Sequence, residues 1–177
     1  AMGLTSRIVL DANIYTMNNR AEAFWMKKGI LGDTVPLELN AKELVHRNNK
    51  NSELTVYGYT PMMVSVQCVQ KTMDHCNHAC VQYVLKDRYQ KEFRGVCSCE
   101  FCYNTIYNTL PTSLLKEKEK AEKLGVKAYR LSFTTETQQE TEKIVRAFVD
   151  VYLRGQKPDG QMQTEETTKG HFQRGVE

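Results

Sequence analysis

Apolar and polar positions alternate between two periods along most of this chain. Residues 7–15 begin as a β-rich run, Arg-Ile-Val-Leu, and end in polar turn material before Asn18 and Asn19, residue types that cap helices. Ala21, Phe24 and Trp25 then recur at helical spacing, and Gly29 marks the stop. Residues 35–39 read as a strand. Asn40, with Glu43 three positions on, predicts a short capped helix, and residues 54–57 predict the next strand. Further along, Thr112 predicts the start of a helix carrying Leu114, Leu115, Ala121 and Leu124 that stops at Gly125, with a strand over 128–133 behind it. Thr137-Gln138-Gln139-Glu140 is a capping box. The helix it opens places Ile144, Phe148, Val151 and Tyr152 on one face and ends at Gly155.

Strands alternating with helices predict an α/β fold whose parallel strands are joined by crossovers. About four such units fit here, whereas a closed eight-unit barrel takes roughly 250 residues. The expectation is therefore a partial, half TIM-like β/α barrel over residues 1–154, with exposed strand edges that need a missing N-terminal half. The alternation breaks between Cys76 and Asn108. There, residues 81–85 and 91–96 flank a polar stretch at 86–90, which predicts a β-hairpin within a Cys-rich insertion over 62–110. Asp87 and Arg88 read as turn residues closing that hairpin. Residues 155–177 show no period and are expected to form a linker or strap ending in a Gly-His-Phe motif.

Composition adds one anomaly. All six cysteines, Cys68, Cys76, Cys80, Cys97, Cys99 and Cys102, fall between residues 68 and 102 of a 177-residue chain. Disulfides suit small secreted domains, but this chain is larger, opens on no charged-then-apolar stretch and has helical segments that can build a core, so metal ligation is the expectation. The opening Ala1-Met2-Gly3 reads as a cloning remnant and the chain as a cut piece. The net charge of +3, with acids and bases interleaved, permits but does not call for a polyanion partner such as RNA. No run approaches the roughly 20 apolar residues of a membrane span, so a cytoplasmic protein without a membrane partner is expected. Lys116-Glu117-Lys118-Glu119-Lys120 reads as a solvated helix face.

Several motifs, taken in order, resemble those of one known family. Leu37-Glu38-Leu39-Asn40 with Lys42-Glu43-Leu44 resembles the family's strand and helix. Val56-Tyr57-Gly58 followed by Pro61-Met62-Met63-Val64-Ser65 and Cys68 is similar to its signature strand and loop. Cys76-Asn77-His78-Ala79-Cys80 with Tyr83, Leu85 and Asp87-Arg88 resembles its paired cysteines, and Asn104-Thr105-Ile106-Tyr107-Asn108 with Pro111, then residues 129–134 and 170–177, continue the likeness. One position departs: the family usually has Arg after the signature Gly, and here it is Tyr59. The family they resemble is peptidase family U-32, the collagenase-like proteases, and the resemblance implies a first half-barrel upstream and activity as a hydroxylase of RNA bases or the ubiquinone ring or as a collagenase-like protease, with a non-catalytic metal-binding half-domain as the plainer alternative. The hydroxylase branch holds a four-iron four-sulfur cluster on four cysteines.

Thiolates are soft ligands that hold such clusters in sets of four. The expected set is Cys68, Cys76, Cys80 and Cys102, with Cys97 and Cys99 in reserve, because spacing alone does not choose among the last three. Zinc is the alternative, with Cys76/Cys80 and Cys99/Cys102 as knuckles and His75 or His78 able to replace one cysteine. Neither a Gly-x-Ser-x-Gly elbow nor a His-Glu-x-x-His helix is present, so a peptide substrate would need a cysteine nucleophile with His46, His75, His78 or His171 as base. Glu38 and Arg130 are catalytic candidates at strand positions, with an internal ion pair as the plainer reading. Tyr57, Tyr59, Tyr103 and Tyr107 could stack a planar ring or simply pack beneath the hairpin.

Overall fold

The computed structural model describes residues 8–73, 76–158 and 166–175. His75 and the 159–165 and 176–177 parts of the expected strap lie outside them. The fold is mixed α/β in two sheets. The first contains parallel strands β1 (Val9–Leu10), β2 (Gly32–Thr34), β3 (Ser52–Gly58) and β9 (Ala128–Ser132), joined in sequence order, and it does not close into a barrel. A two-residue strand, β8 (Thr112–Ser113), pairs antiparallel with the C-terminal end of β3.

Local chemistry explains the helices. Asn18 accepts from the Arg20 and Ala21 amides to start α1 (Asn19–Lys27), and Gly29 leaves it with a left-handed φ of 86°. Asn40 and Glu43 form the expected capping box of α2 (Ala41–Leu44), and Thr137 and Glu140 form that of α5 (Gln138–Phe148), which continues as a π-helical turn over Val149–Leu153. Among the described residues no helix is long and apolar enough to cross a membrane.

Two expected elements differ. The strand expected at 35–39 lies earlier, at β2, because Pro36 has no N–H to give the ladder and residues 37–38 turn. The helix expected from Thr112 begins instead as β8, and only after a 3₁₀ turn at Leu115–Glu117 does α4 (Lys118–Lys123) form. The backbone of β3 captures this segment, the Leu114 amide donating to the Val56 carbonyl at 2.8 Å.

Residues of α2, α4 and α5 cover one face of the parallel sheet. Leu54 and Val56 of β3 pack there with Leu114, Leu124, Phe148 and Val151. A polar cluster lies at the edge of this layer: Asp33 accepts from Arg47, Thr16 and Ser52, and Arg47 also donates to the Thr16 carbonyl at 2.8 Å and to Asn49 at 2.9 Å. On the other face, Arg130 donates to Glu53 at 2.8 Å and Thr34 at 2.9 Å and reaches Asp11 at 3.4 Å. The described part of the closing segment docks beside β8. Thr168 and Pro111–Ser113 exchange backbone hydrogen bonds, Phe172 is buried, and Lys169 pairs with Glu117.

Candidate metal centre

Between β3 and β8 the chain builds a second, wholly antiparallel sheet, in the order β4 (Pro61–Ser65), β7 (Tyr103–Tyr107), β6 (Glu92–Ser98), β5 (Val81–Lys86). The expected hairpin is its β5–β6 half, closed by Asp87, whose carboxylate accepts from the Tyr89 and Lys91 amides. Strands β4 and β7 add a second half that the hairpin pattern alone does not reveal.

Register explains why the cysteines meet. Ser65 at the end of β4 lies opposite Asn104, Asn104 opposite Cys97, and Cys97 opposite Val81 at the start of β5. The 66–80 connection, bearing Cys68, Cys76 and Cys80, and the β6–β7 turn, bearing Cys99 and Cys102, therefore share one end of the sheet. It is the end away from the junction with the parallel strands at Pro61 and Tyr107, roughly 13 Å along β4 at strand rise.

Three sulfurs are in contact. Cys97 Sγ lies 3.6 Å from Cys68 Sγ and 3.5 Å from Cys99 Sγ, and Cys99 donates to the Ala79 carbonyl at 2.8 Å, next to Cys80. All six thiols are free, and these distances are far beyond a disulfide bond of about 2.05 Å. Both sulfur contacts share Cys97, and among the described residues no three His, Cys, Asp or Glu side chains are arranged to hold a metal ion as they stand. Of the expected set only Cys68 belongs to this trio. Cys76 and Cys80 are exposed, and Cys102, held at a positive φ of 52°, is exposed with its thiol 3.7 Å from the Cys99 carbonyl. The two reserve cysteines complete the trio instead.

The electrostatics separate the thiols. The backbone amides of Lys71 and Gln70, on the first turn of α3 (Val69–Thr72), face the Cys68 sulfur and lower its pKa against the opposing effect of burial, with help from the neighbouring Cys97 thiol. Burial, then the Cys99 and Cys68 thiols, push Cys97 up to about 12. A positive ion among them would reverse that preference, since ligation deprotonates a thiol outright.

Polar side chains beside the thiols are incompletely satisfied. Asn104, 1% exposed, donates to the Gln67 carbonyl at 2.8 Å and so holds the backbone next to Cys68, but its Oδ1 has no partner. Gln70 Oε1 and the Tyr83 hydroxyl are likewise buried without partners. Buried polar atoms are normally paired, so three orphans beside one thiol cluster suit an occupied site. Of these, Tyr83 and Asn104 stand in motifs quoted above with no role expected at the centre, and Gln70 stands in none. The signal for Asn104 was a small amide in the middle of a β-prone run.

The catalytic candidates lie elsewhere. Arg130 is committed to Glu53, Thr34 and Asp11, and Glu38 sits in the turn after β2 rather than in a strand. His171 uses Nδ1 on the Gly175 carbonyl at 2.9 Å. Tyr59 is buried with the Arg94 guanidinium 4.9 Å over its ring, and Tyr57 packs at 5.6 Å from Phe133 in the core, so both serve packing. No family model, curated protein or solved structure matches the chain.

Proposed function

We propose that this chain is the cysteine-bearing half of a U-32-type barrel enzyme, built around a thiolate-held metal centre and acting on an RNA base or a related planar ring. The observation that carries the reading is the meeting of Cys68, Cys97 and Cys99 beside three orphaned polar atoms. The half-barrel part draws support from four parallel strands in sequence order, with residues of α2, α4 and α5 packed on one face and the polar Arg130, Glu53 and Thr34 on the other, since parallel sheets are normally covered on both. The N-terminal half of the barrel is the partner that would cover the second face, and a cytoplasmic setting keeps the thiols reduced.

For a four-iron four-sulfur cluster, each thiolate takes its own iron and the ligand sulfurs stand apart. Cys68 with Cys76, Cys80 and Cys102 is the set that would hold it, the last three being exposed and Cys97 buried. A bound cluster supplies one-electron chemistry for oxygen insertion into a ring. The chain's own part is to hold Cys68 through Asn104 and to keep Cys97 from solvent. Zinc is the second reading, and the sulfur separations favour it. A tetrahedral site with metal–sulfur bonds of about 2.3 Å has edges of about 3.8 Å, close to those seen here.

The test is anaerobic reconstitution of the full-length protein, followed by mass spectrometry of RNA for one added oxygen. Stoichiometric zinc without iron or a brown chromophore would establish the second reading. Gelatin cleavage that is lost in Cys68→Ala and persists without metal would replace both with a collagenase-like protease.

A further inference from the structure

Tyr83 is the polar side chain that this arrangement leaves least explained. It lies opposite Gly95 in the β5–β6 pair, on the same face as Val81 and Cys97, one pair further along. Its ring lies flat across Gly95. A Cβ on that glycine would sit 2.3 Å from two ring carbons and 2.8 Å from the hydroxyl oxygen, so the absence of a side chain at 95 is what lets the phenol reach across β6. The hydroxyl that arrives there is buried and has no hydrogen-bond partner. A buried hydroxyl without a partner loses its water and gains nothing, so the position has an energetic cost unless something accepts its proton. Cys97 stands on the same face of β6, two residues beyond the glycine that the ring crosses. Burial, then the charges of Cys97 and Cys68, raise the pKa of Tyr83, which keeps the phenol protonated as a donor.

We infer that Tyr83 is a positioning residue of the metal centre, its hydroxyl donating a hydrogen bond to a ligand thiolate once metal has deprotonated the cluster of Cys68, Cys97 and Cys99. This rests on the metal-centre reading above and deepens it. A hydrogen bond to a ligating sulfur withdraws charge from it, which stabilises the bound state and raises the reduction potential of any iron held there. Gly95 belongs to the same device, since any larger residue lifts the ring.

The experiment compares the whole chain with Tyr83→Phe, which keeps the ring and removes only the hydroxyl, and with Tyr89→Phe, an exposed tyrosine in the β5–β6 turn, as control. Each is titrated anaerobically with Co²⁺, read by its thiolate-to-metal charge-transfer absorption, and each is reconstituted in parallel with ferrous iron and sulfide for potentiometry. Tyr83→Phe is expected to bind Co²⁺ about 10- to 100-fold more weakly or, where iron and sulfide assemble, to shift the midpoint potential to more negative values. Its metal-free form should melt at the same temperature as the parent or higher, because an unpaired buried hydroxyl has been removed, and this separates the effect from a folding defect. A Tyr83→Phe chain that matches the parent in affinity, spectrum and potential overturns the role of Tyr83 and leaves the metal centre standing. A parent chain that takes up neither Co²⁺ nor iron and sulfide overturns both.

Discussion

Replacing Asp33 by Ala should unfold this chain more readily than almost any other single change on the parallel sheet. Its carboxylate and the Arg47 guanidinium have side chains 1% and 2% exposed, and Asp33 also accepts from Thr16 and from Ser52 at 2.5 Å. Breaking a buried pair costs about 3–5 kcal/mol because one charge is left uncompensated. Arg47 would keep acceptors on Thr16, Asn48, Asn49 and Ser52 at 2.8–3.2 Å, which places the loss at the lower end, about 3 kcal/mol. With a urea dependence of about 1–3 kcal/mol per molar, the midpoint should fall by roughly 1–3 M. Urea titration followed by circular dichroism reads this directly. Combining Asp33→Leu with Arg47→Met should lose less than the two single changes summed, since no lone charge remains. A loss below about 1 kcal/mol for Asp33→Ala would refute the claim that this ion pair is buried and interdependent.

Three further outcomes follow from the geometry. Burial alone would raise the Glu117 pKa, but hydrogen bonds from Lys120 at 2.6 Å and from Lys169 hold it below the ordinary carboxylate value. A depressed folded pKa means that its stabilisation is complete above the unfolded value of about 4.3 and is lost as pH falls through the folded one. Melting temperatures across that acid range should therefore decline less steeply in Lys169→Met than in the parent. Gly95→Ala should cost about 1–3 kcal/mol, because the new Cβ meets the Tyr83 ring, and thermal melts would show it. Where the trio of Cys68, Cys97 and Cys99 holds zinc, Cys97→Ser should lower metal content per chain as measured by plasma mass spectrometry, whereas a cluster on Cys68, Cys76, Cys80 and Cys102 should survive Cys97→Ser and be lost in Cys102→Ser.

Where local chemistry decides structure, the sequence was readable. The capping boxes at Asn40 and Thr137, the stop at Gly29 and the hairpin around Asp87 all depend on residues a few positions apart. It was less readable where distant backbone decides. Thr112 has the chemistry of a helix cap, yet β3 recruits it into a ladder, and β4 finds its partner β7 some forty residues on. The candidate site shows the same division. Six clustered cysteines announced thiol chemistry, but which sulfurs touch is set by the register that puts Cys97 beside Asn104 and carries the Cys68 connection over both. Spacing favoured the knuckle of Cys76 and Cys80, whose exposed side chains flank that contact rather than form it.

The most direct measurement combines metal and acid-labile sulfide analysis of anaerobically purified protein with a native count of alkylatable thiols. The account predicts bound metal in proportion to chain, with Cys68 protected from alkylation until a chelator removes the metal, while Cys97, buried in the fold, stays protected either way. Protein that carries no iron, sulfide or zinc, and whose six thiols are modified equally with and without chelator, would contradict it.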